Sequence, residues 1–287
     1  MRQFRANNLA AAIENAQRHS HQGAMWPWES TGSGFESGPG SAEGNRELHI
    51  SSDISFAFLQ YYRATHDDQW LKDVAYPVLN ATARYWQSRA IVRGSGTQQR
   101  TAHILDVMGP DEWHDHTNDS AFTNAGAKIA LRFAATASEA VGDRTAPVGA
   151  WRQLADQLVI IYNETTRVTA EYDHYDGGSN ASNPPWVHRR VPGLIKQADT
   201  VLLQYPLGYN QSAALSARNL EYYGKRVDVQ GGPAMTWSVH TVGYLRIGQP
   251  DIAAQMFNRS YQNNVRQPFK VWDEVKIGSG VDHFTTG

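Results

Sequence analysis

Apolar residues return at helical spacing in one stretch after another, and this constrains the chain more than any other feature. Ile54, Ala57, Phe58 and Tyr61 form one stripe; Ala130, Phe133, Ala134 and Ala137 form a second; Leu154, Leu158, Ile161 and Tyr162 form a third. Residues three or four apart share one face of a helix, so each stripe predicts an amphipathic helix with its apolar side in a core. A further stripe, Leu9, Ala12, Ile13 and Ala16, opens the chain with neither cap nor leader ahead of it, as expected of a piece of a longer sequence. Short polar joints, His66-Asp67-Asp68 and Gly142-Asp143-Arg144, separate the helices and favour antiparallel neighbours. Strand-like alternation is scarce. Helix pairs running through 287 residues without a short repeat period predict an all-α fold in which inner and outer helices close a ring. No shift of composition divides the chain, so 1–287 is expected to form a single domain.

The charges point to a neutral small-molecule partner. The net charge is −2, with both signs interspersed, so there is no basic patch for nucleic acid and no charged tail. No apolar run approaches the roughly 18 residues of a membrane span. Nine Trp and thirteen Tyr are many for this length, and their flat apolar faces with polar edges suit sugar rings as well as cores. The absence of cysteine excludes a disulfide framework, a thiolate metal site and a thiol nucleophile. Eleven histidines include no pair at metal-ligand spacing, His114 and His116 lying among loop acids, and neither metal nor cofactor is expected. Six Asn-x-Ser/Thr sequons, at Asn80, Asn118, Asn163, Asn180, Asn210 and Asn258, lean toward the secretory pathway.

The chemistry is expected in the loops. Gly23-Ala-Met-Trp-Pro-Trp-Glu-Ser, Gly109-Pro-Asp-Glu-Trp-His and Phe269-Lys-Val-Trp-Asp-Glu, the last followed by Gly278-Ser-Gly, combine Gly or Pro with Trp and carboxylates. The stretch from Gly177 to Pro192 reads instead as a surface insertion. Breaking a glycosidic bond takes two carboxyl groups, one protonated to help the leaving oxygen depart and one ionised to activate water or attack carbon. Asp111-Glu112 and Asp273-Glu274 are the candidate pairs. Trp113 and the adjacent carboxylate would favour the acid form of Glu112. Adjacent acids in loops are more often solvated surface or helix caps, so spacing alone does not choose between these readings.

Seven blocks resemble glycoside hydrolase family 65: Gly23 to Ser30; Glu47-Leu-His-Ile with Asp53-Ile; Gly109 to His114; Ala121-Phe-Thr-Asn-Ala; Ile195-Lys-Gln-Ala-Asp-Thr-Val-Leu-Leu; Gly232-Pro-Ala-Met-Thr-Trp-Ser; and Phe269 to Glu274. They occur in family order along almost the whole chain. The resemblance implies an (α/α)6 toroid, here incomplete at both ends. It also implies that an N-terminal β-sandwich, the C-terminal region and the family's Trp-Asp-x-Glu block are missing, so that the 287-residue product alone would be poorly soluble or inactive. It is closest to the branch of acid trehalases and of the glucosidase acting on glucosylgalactosyl-hydroxylysine of collagen, and it leaves the aglycone open.

Carried over by motif, the general acid falls on Glu112. The glucose-holding Lys-Gln pair falls on Lys196 and Gln197, and pocket contacts fall on Trp26, Trp28 and Glu29. Glu47, His49, Asp53, His114 and Asp273 are further candidates for the pocket wall. Family phosphorylases carry small hydroxyl residues and a phosphate-binding histidine where this chain reads Val271-Trp-Asp-Glu-Val. A carboxylate there repels phosphate and can deprotonate water. The resemblance therefore implies an inverting α-glucoside hydrolase with Glu274 as base, its carboxyl roughly 6.5–9.5 Å from that of Glu112. The alternatives are a disaccharide phosphorylase and a non-catalytic sugar binder.

Overall fold

The computed structural model describes residues 2–94, 99–177 and 193–275. The chain forms two compact units, one of residues 1–108 and 116–160, the other of residues 109–115 and 161–287.

The first unit runs through α1 (Arg2–Asn7), α2 (Leu9–Arg18), α3 (Ala42–Arg46), α4 (Ile50–Thr65) and α5 (Asp68–Trp70), then a π-helical turn, Leu71–Ala75, that enters α6 (Tyr76–Arg89). A short hairpin of β1 (Ile91–Arg93) and β2 (Thr101–His103) leads on to α7 (Ala121–Val141) and α8 (Val148–Gln157). Helix α7 is the axis of the unit and packs against α4, α6 and α8. Its alanine-rich sequence favours helix. Ser120 Oγ caps its start by accepting from Thr123 N, and Gly142, at φ 78°, ends it in the left-handed conformation. Small residues let α7 approach α4 closely: a Cβ on Gly126 would lie 2.8 Å from Cβ of Ser52. Phe58, Leu79, Tyr85, Trp86, Leu131 and Trp151 are fully buried in the core around these helices.

Two stripes depart from the sequence reading. Ala57 is exposed while Ile54 and Phe58 face the core together with Ser51, Ser52 and Ser55, so the buried face of α4 is displaced from its apolar stripe toward its serines. The third stripe stops early. Helix α8 ends at Gln157, because Leu158 bridges Ala102 of β2 in parallel and Val159 N donates to Ala102 O at 3.2 Å. That pairing turns the backbone extended, and Ile161 and Tyr162 leave the helix.

The second unit holds a hairpin of β3 (Tyr162–Asn163) and β4 (Val168–Thr169), a 3-10 turn at Thr200–Leu203, and helices α9 (Ala213–Gly224), α10 (Met235–Arg246) and α11 (Pro250–Gln262). A last hairpin, β5 (Val265–Arg266) with β6 (Val271–Trp272), follows. Helix α10 packs against both α9 and α11. Helix α9 fixes β4: Asn219 Oδ1 accepts from Thr169 N at 3.0 Å, Asn219 Nδ2 donates to Thr169 Oγ1 at 3.1 Å, and Tyr223 OH donates to Thr169 O at 2.7 Å. Among the described residues the sheets are three two-stranded antiparallel ladders, in keeping with the scarcity of strand signals. None of the described helices is long and apolar enough to cross a membrane. The Gly278-Ser-Gly turn, the insertion from 178 to 192 and the sequon at Asn180 lie outside the described residues.

Candidate active site

The acid loop, 109–115, belongs to the second unit although its neighbours in sequence belong to the first. Asp111 anchors it and is fully buried. Its backbone N donates to Asp199 Oδ2 at 3.1 Å, and its Oδ1 accepts from Lys196 N at 2.9 Å and Trp113 N at 3.3 Å. Lys196 is held from the other side. Ile195 N donates to Arg226 O at 2.8 Å and Asp228 N donates to Ile195 O at 3.0 Å, a parallel bridge between Ile195 and Val227. The two loops thereby set Glu112 against Lys196 and Gln197. The Lys196 ammonium pairs with Glu112 Oε2, and Gln197 Nε2 donates to Glu112 Oε1 at 3.3 Å and also to Pro110 O. The Glu112 and Lys196 side chains keep about a fifth and a quarter of their surface open, at 21% and 26%, enough for a ligand to reach both. Glu112, Lys196 and Gln197 are thus brought together as expected from their motifs.

Behind Glu112 lies a second cluster. His114 Nδ1 sits 2.6 Å from Asp111 Oδ2 and 2.9 Å from Glu171 Oε1, all three side chains being almost wholly buried. Burial alone would lower the His114 pKa, but the Asp111 and Glu171 carboxylates outweigh it and hold it well above the usual histidine range. Burial pushes Glu171 upward against the pull of His114. The rings of Tyr172 and Tyr175 stand 5.3 and 6.0 Å from the imidazole. Asp111, His114 and Glu171 offer the donor set of a metal site. Their separations of 2.6 and 2.9 Å are those of close ion pairs on one imidazole nitrogen, whereas a tetrahedral ion with bonds near 2.1 Å keeps its donors ~3.4 Å apart.

The other carboxylate pair divides its roles. Asp273 is buried, ion-paired with Arg266, and accepts from Val275 N at 3.2 Å through Oδ1. Glu274 is only partly buried. Its carbonyl accepts from Ala234 N at 2.8 Å and from Asn264 Nδ2 at 2.9 Å. Within 232–236, Ala234 therefore touches Glu274, while Thr236 holds the Lys196 loop, where Ala198 N donates to Thr236 Oγ1 at 3.1 Å. Gly232 makes the second contact possible, since a Cβ there would stand 2.4 Å from Lys196 O.

The remaining candidates belong to the first unit. Trp26 is 1% exposed, and its indole N–H donates to Thr82 Oγ1 at 3.1 Å; the structure places this ring in the core. Trp28 is half-buried and Glu29 exposed, and Glu36 Oε2 accepts from Trp28 N at 2.7 Å. His49 is buried between Asp53 Oδ2, 2.8 Å from its Nδ1, and Glu47 Oε2, 3.3 Å from its Nε2. Burial opposes its charge, yet Asp53 and Glu47 prevail and raise its pKa to about 10.

Glu171, Asp199 and the roles of Asp111 and Thr236 were missed by the sequence reading. Asp199 and Thr236 stand inside quoted blocks, which was their only signal. Glu171 stands outside every block.

Comparison with known proteins identifies the family. Residues 1–274 match the model of the glycosyl hydrolase family 65 central catalytic domain. The chain is 37% identical to a kojibiose hydrolase of Mucilaginibacter mallensis over 99% of its own length and 39% of that protein. It is 34% identical to the protein-glucosylgalactosylhydroxylysine glucosidase of Mus musculus over 99% of itself and 38% of that relative. It thus spans about two fifths of the curated relatives it matches. A solved structure titled a putative kojibiose phosphorylase from human microbiome superposes with a TM-score of 0.74, at 19% identity, over 88% of this chain and 38% of the other. That likeness shows a shared fold, the helical (α/α)6 class expected from the sequence. The match over nearly its entire length places the chain in glycoside hydrolase family 65, within the family's central catalytic domain.

Proposed function

We propose that the protein hydrolyses a terminal α-glucoside with inversion, Glu112 serving as general acid and Glu274 as general base. The observation that carries this reading is the grip of Lys196 and Gln197 on Glu112. These two side chains can donate to sugar oxygens, and they converge on a carboxyl group able to protonate a glycosidic oxygen. A glucosyl unit that accepts from Lys196 and Gln197 takes over their donors and releases Glu112 to carry its proton. Glu112 then gives that proton to the leaving oxygen as the bond to the anomeric carbon breaks. Water adds from the opposite face and loses its proton to Glu274, so the products are β-glucose and the free alcohol. Asp273, already committed to Arg266 and the Val275 amide, suits a supporting place beside Glu274. Trp28 and Glu29 are the more open members of their block and the better candidates for substrate contact.

Kojibiose and glucosylgalactosyl-hydroxylysine, named by the relatives, are the first substrates to assay, with trehalose beside them. Hydrolysis releases glucose without phosphate; a phosphorylase would require phosphate and yield glucose 1-phosphate. Glu112→Gln and Glu274→Gln separate the two roles when α-glucosyl fluoride is added to the panel, because fluoride departs without a proton. Glu112→Gln is expected to lose disaccharide hydrolysis by about a hundredfold or more while keeping the fluoride reaction, and Glu274→Gln to lose both. Retention of disaccharide hydrolysis by either variant removes that residue from the mechanism.

A further inference from the structure

The catalytic reading leaves one buried, chemically expensive cluster without a task. Two carboxylates and an imidazole sit out of water, Asp111 and His114 within the acid loop and Glu171 against them, in an arrangement that apolar packing would replace at lower cost in stability. Their geometry indicates what they do. Asp111 uses Oδ1 to accept from the backbone of both Lys196 and Trp113, and its amide is tied to Asp199. Only Oδ2 is left to be steadied, and His114 meets it at 2.6 Å. The imidazole is steadied in turn by Glu171, two residues beyond the end of β4, whose Thr169 is fastened to α9 through Asn219 and Tyr223.

We infer that His114, bridged between Asp111 and Glu171, is a positioning residue for Glu112: it locks the Asp111 carboxylate, which holds the acid loop in register with Lys196. The inference rests on Glu112 being the general acid. Glu112 shares a peptide bond with Asp111 and a salt bridge with Lys196, so rotation of the Asp111 carboxylate moves both ends of the acid's support together. Loss of about an ångström in such a group costs on the order of a hundredfold in rate. The sugar subsite at Lys196 and Gln197 would remain, so the loss belongs in kcat more than in KM.

The test compares a substrate that needs the acid with one that does not. In the intact protein, His114→Gln is expected to lower kcat on a disaccharide substrate about tenfold to a hundredfold, with KM little changed. Its kcat on α-glucosyl fluoride is expected to stay near wild type. Glu171→Gln keeps an oxygen acceptor beside His114 and should show a smaller loss with the same dependence on leaving group; it decides the matter if His114→Gln fails to fold. Equal loss on both substrates in a folded variant would overturn the inference and make the cluster simple architecture. One equivalent of bound divalent metal in the wild type, absent from His114→Gln, would overturn it as well. Glu112→Gln run alongside separates the two levels: if that variant still cleaves the disaccharide, the acid assignment fails regardless of His114.

Discussion

Each of the two units buries a histidine between carboxylates, and the two are assembled differently. His49 finds Glu47 and Asp53 within its own stretch of chain, at the start of α4. His114 finds Asp111 nearby, but its other carboxylate, Glu171, comes from beyond two helices and a hairpin. The first cluster organises the entry to one helix. The second ties a loop to a segment distant in sequence and, through Asp111, to Lys196. A third buried histidine, His240 on α10, has no carboxylate paired with it among the described residues; burial, and after it Arg259, lowers its pKa to about 4. The same residue type is thus charged or neutral inside this protein according to whether acids accompany it, burial pulling downward in all three.

Breaking the His49 cluster should have the largest effect. His49→Leu leaves the Glu47 carboxylate buried without its imidazole and is expected to cost about 3–5 kcal/mol in urea unfolding at neutral pH. A loss below about 1 kcal/mol would mean that the ion pairs there contribute little to stability. Because the folded pKa of His49 is raised to about 10, its contribution is complete below the ordinary value near 6.5 and disappears as pH rises through 10.

His240 has the opposite sign. Its folded pKa is depressed, so the unfolded chain binds the extra proton first and stability falls as pH drops from about 6.5 to 4, by on the order of 3 kcal/mol. His240→Phe should remove that acid-side loss; an unchanged slope of stability against pH in this window would refute the assignment. The smallest effect concerns helix caps. Ser120 and Ser212 each accept from the amide three residues on, at 3.3 and 3.2 Å, the first buried and the second exposed. Ser120→Ala should cost about 1–2 kcal/mol and Ser212→Ala no more than about 1 kcal/mol. Equal losses in thermal unfolding would show that burial of the cap does not matter.

The same contrast explains what the sequence revealed. Glu47, His49 and Asp53 lie within seven residues of chain, His49 and Asp53 at helical spacing, and a reader of the sequence meets them together. Helices α4 and α7 were legible for the same reason, their stripes being local. The end of α8 was not, because a strand contributed by Ala102 decides where Leu158 stops being helical. Glu112, Lys196 and Gln197 were found through their motifs, since nothing in spacing alone distinguishes Asp111-Glu112 from a solvated pair. Glu171 carried neither signal, and its role depends on where α9 holds β4. Trp26 shows the limit of motif transfer: the block names the ring, and the fold decides that Thr82 receives its N–H.

The contact at Gly232 has a practical outcome for redesign. With the space for its first side-chain carbon already filled by the carbonyls of Lys196 and Asp228, the turn that carries Ala234 toward Glu274 cannot be altered at 232 without displacing the lysine first. Attempts to broaden substrate choice by randomising that turn would disturb the grip on the acid before they reshaped the base, so diversity is better placed beyond Thr236, leaving both the glycine and that threonine untouched.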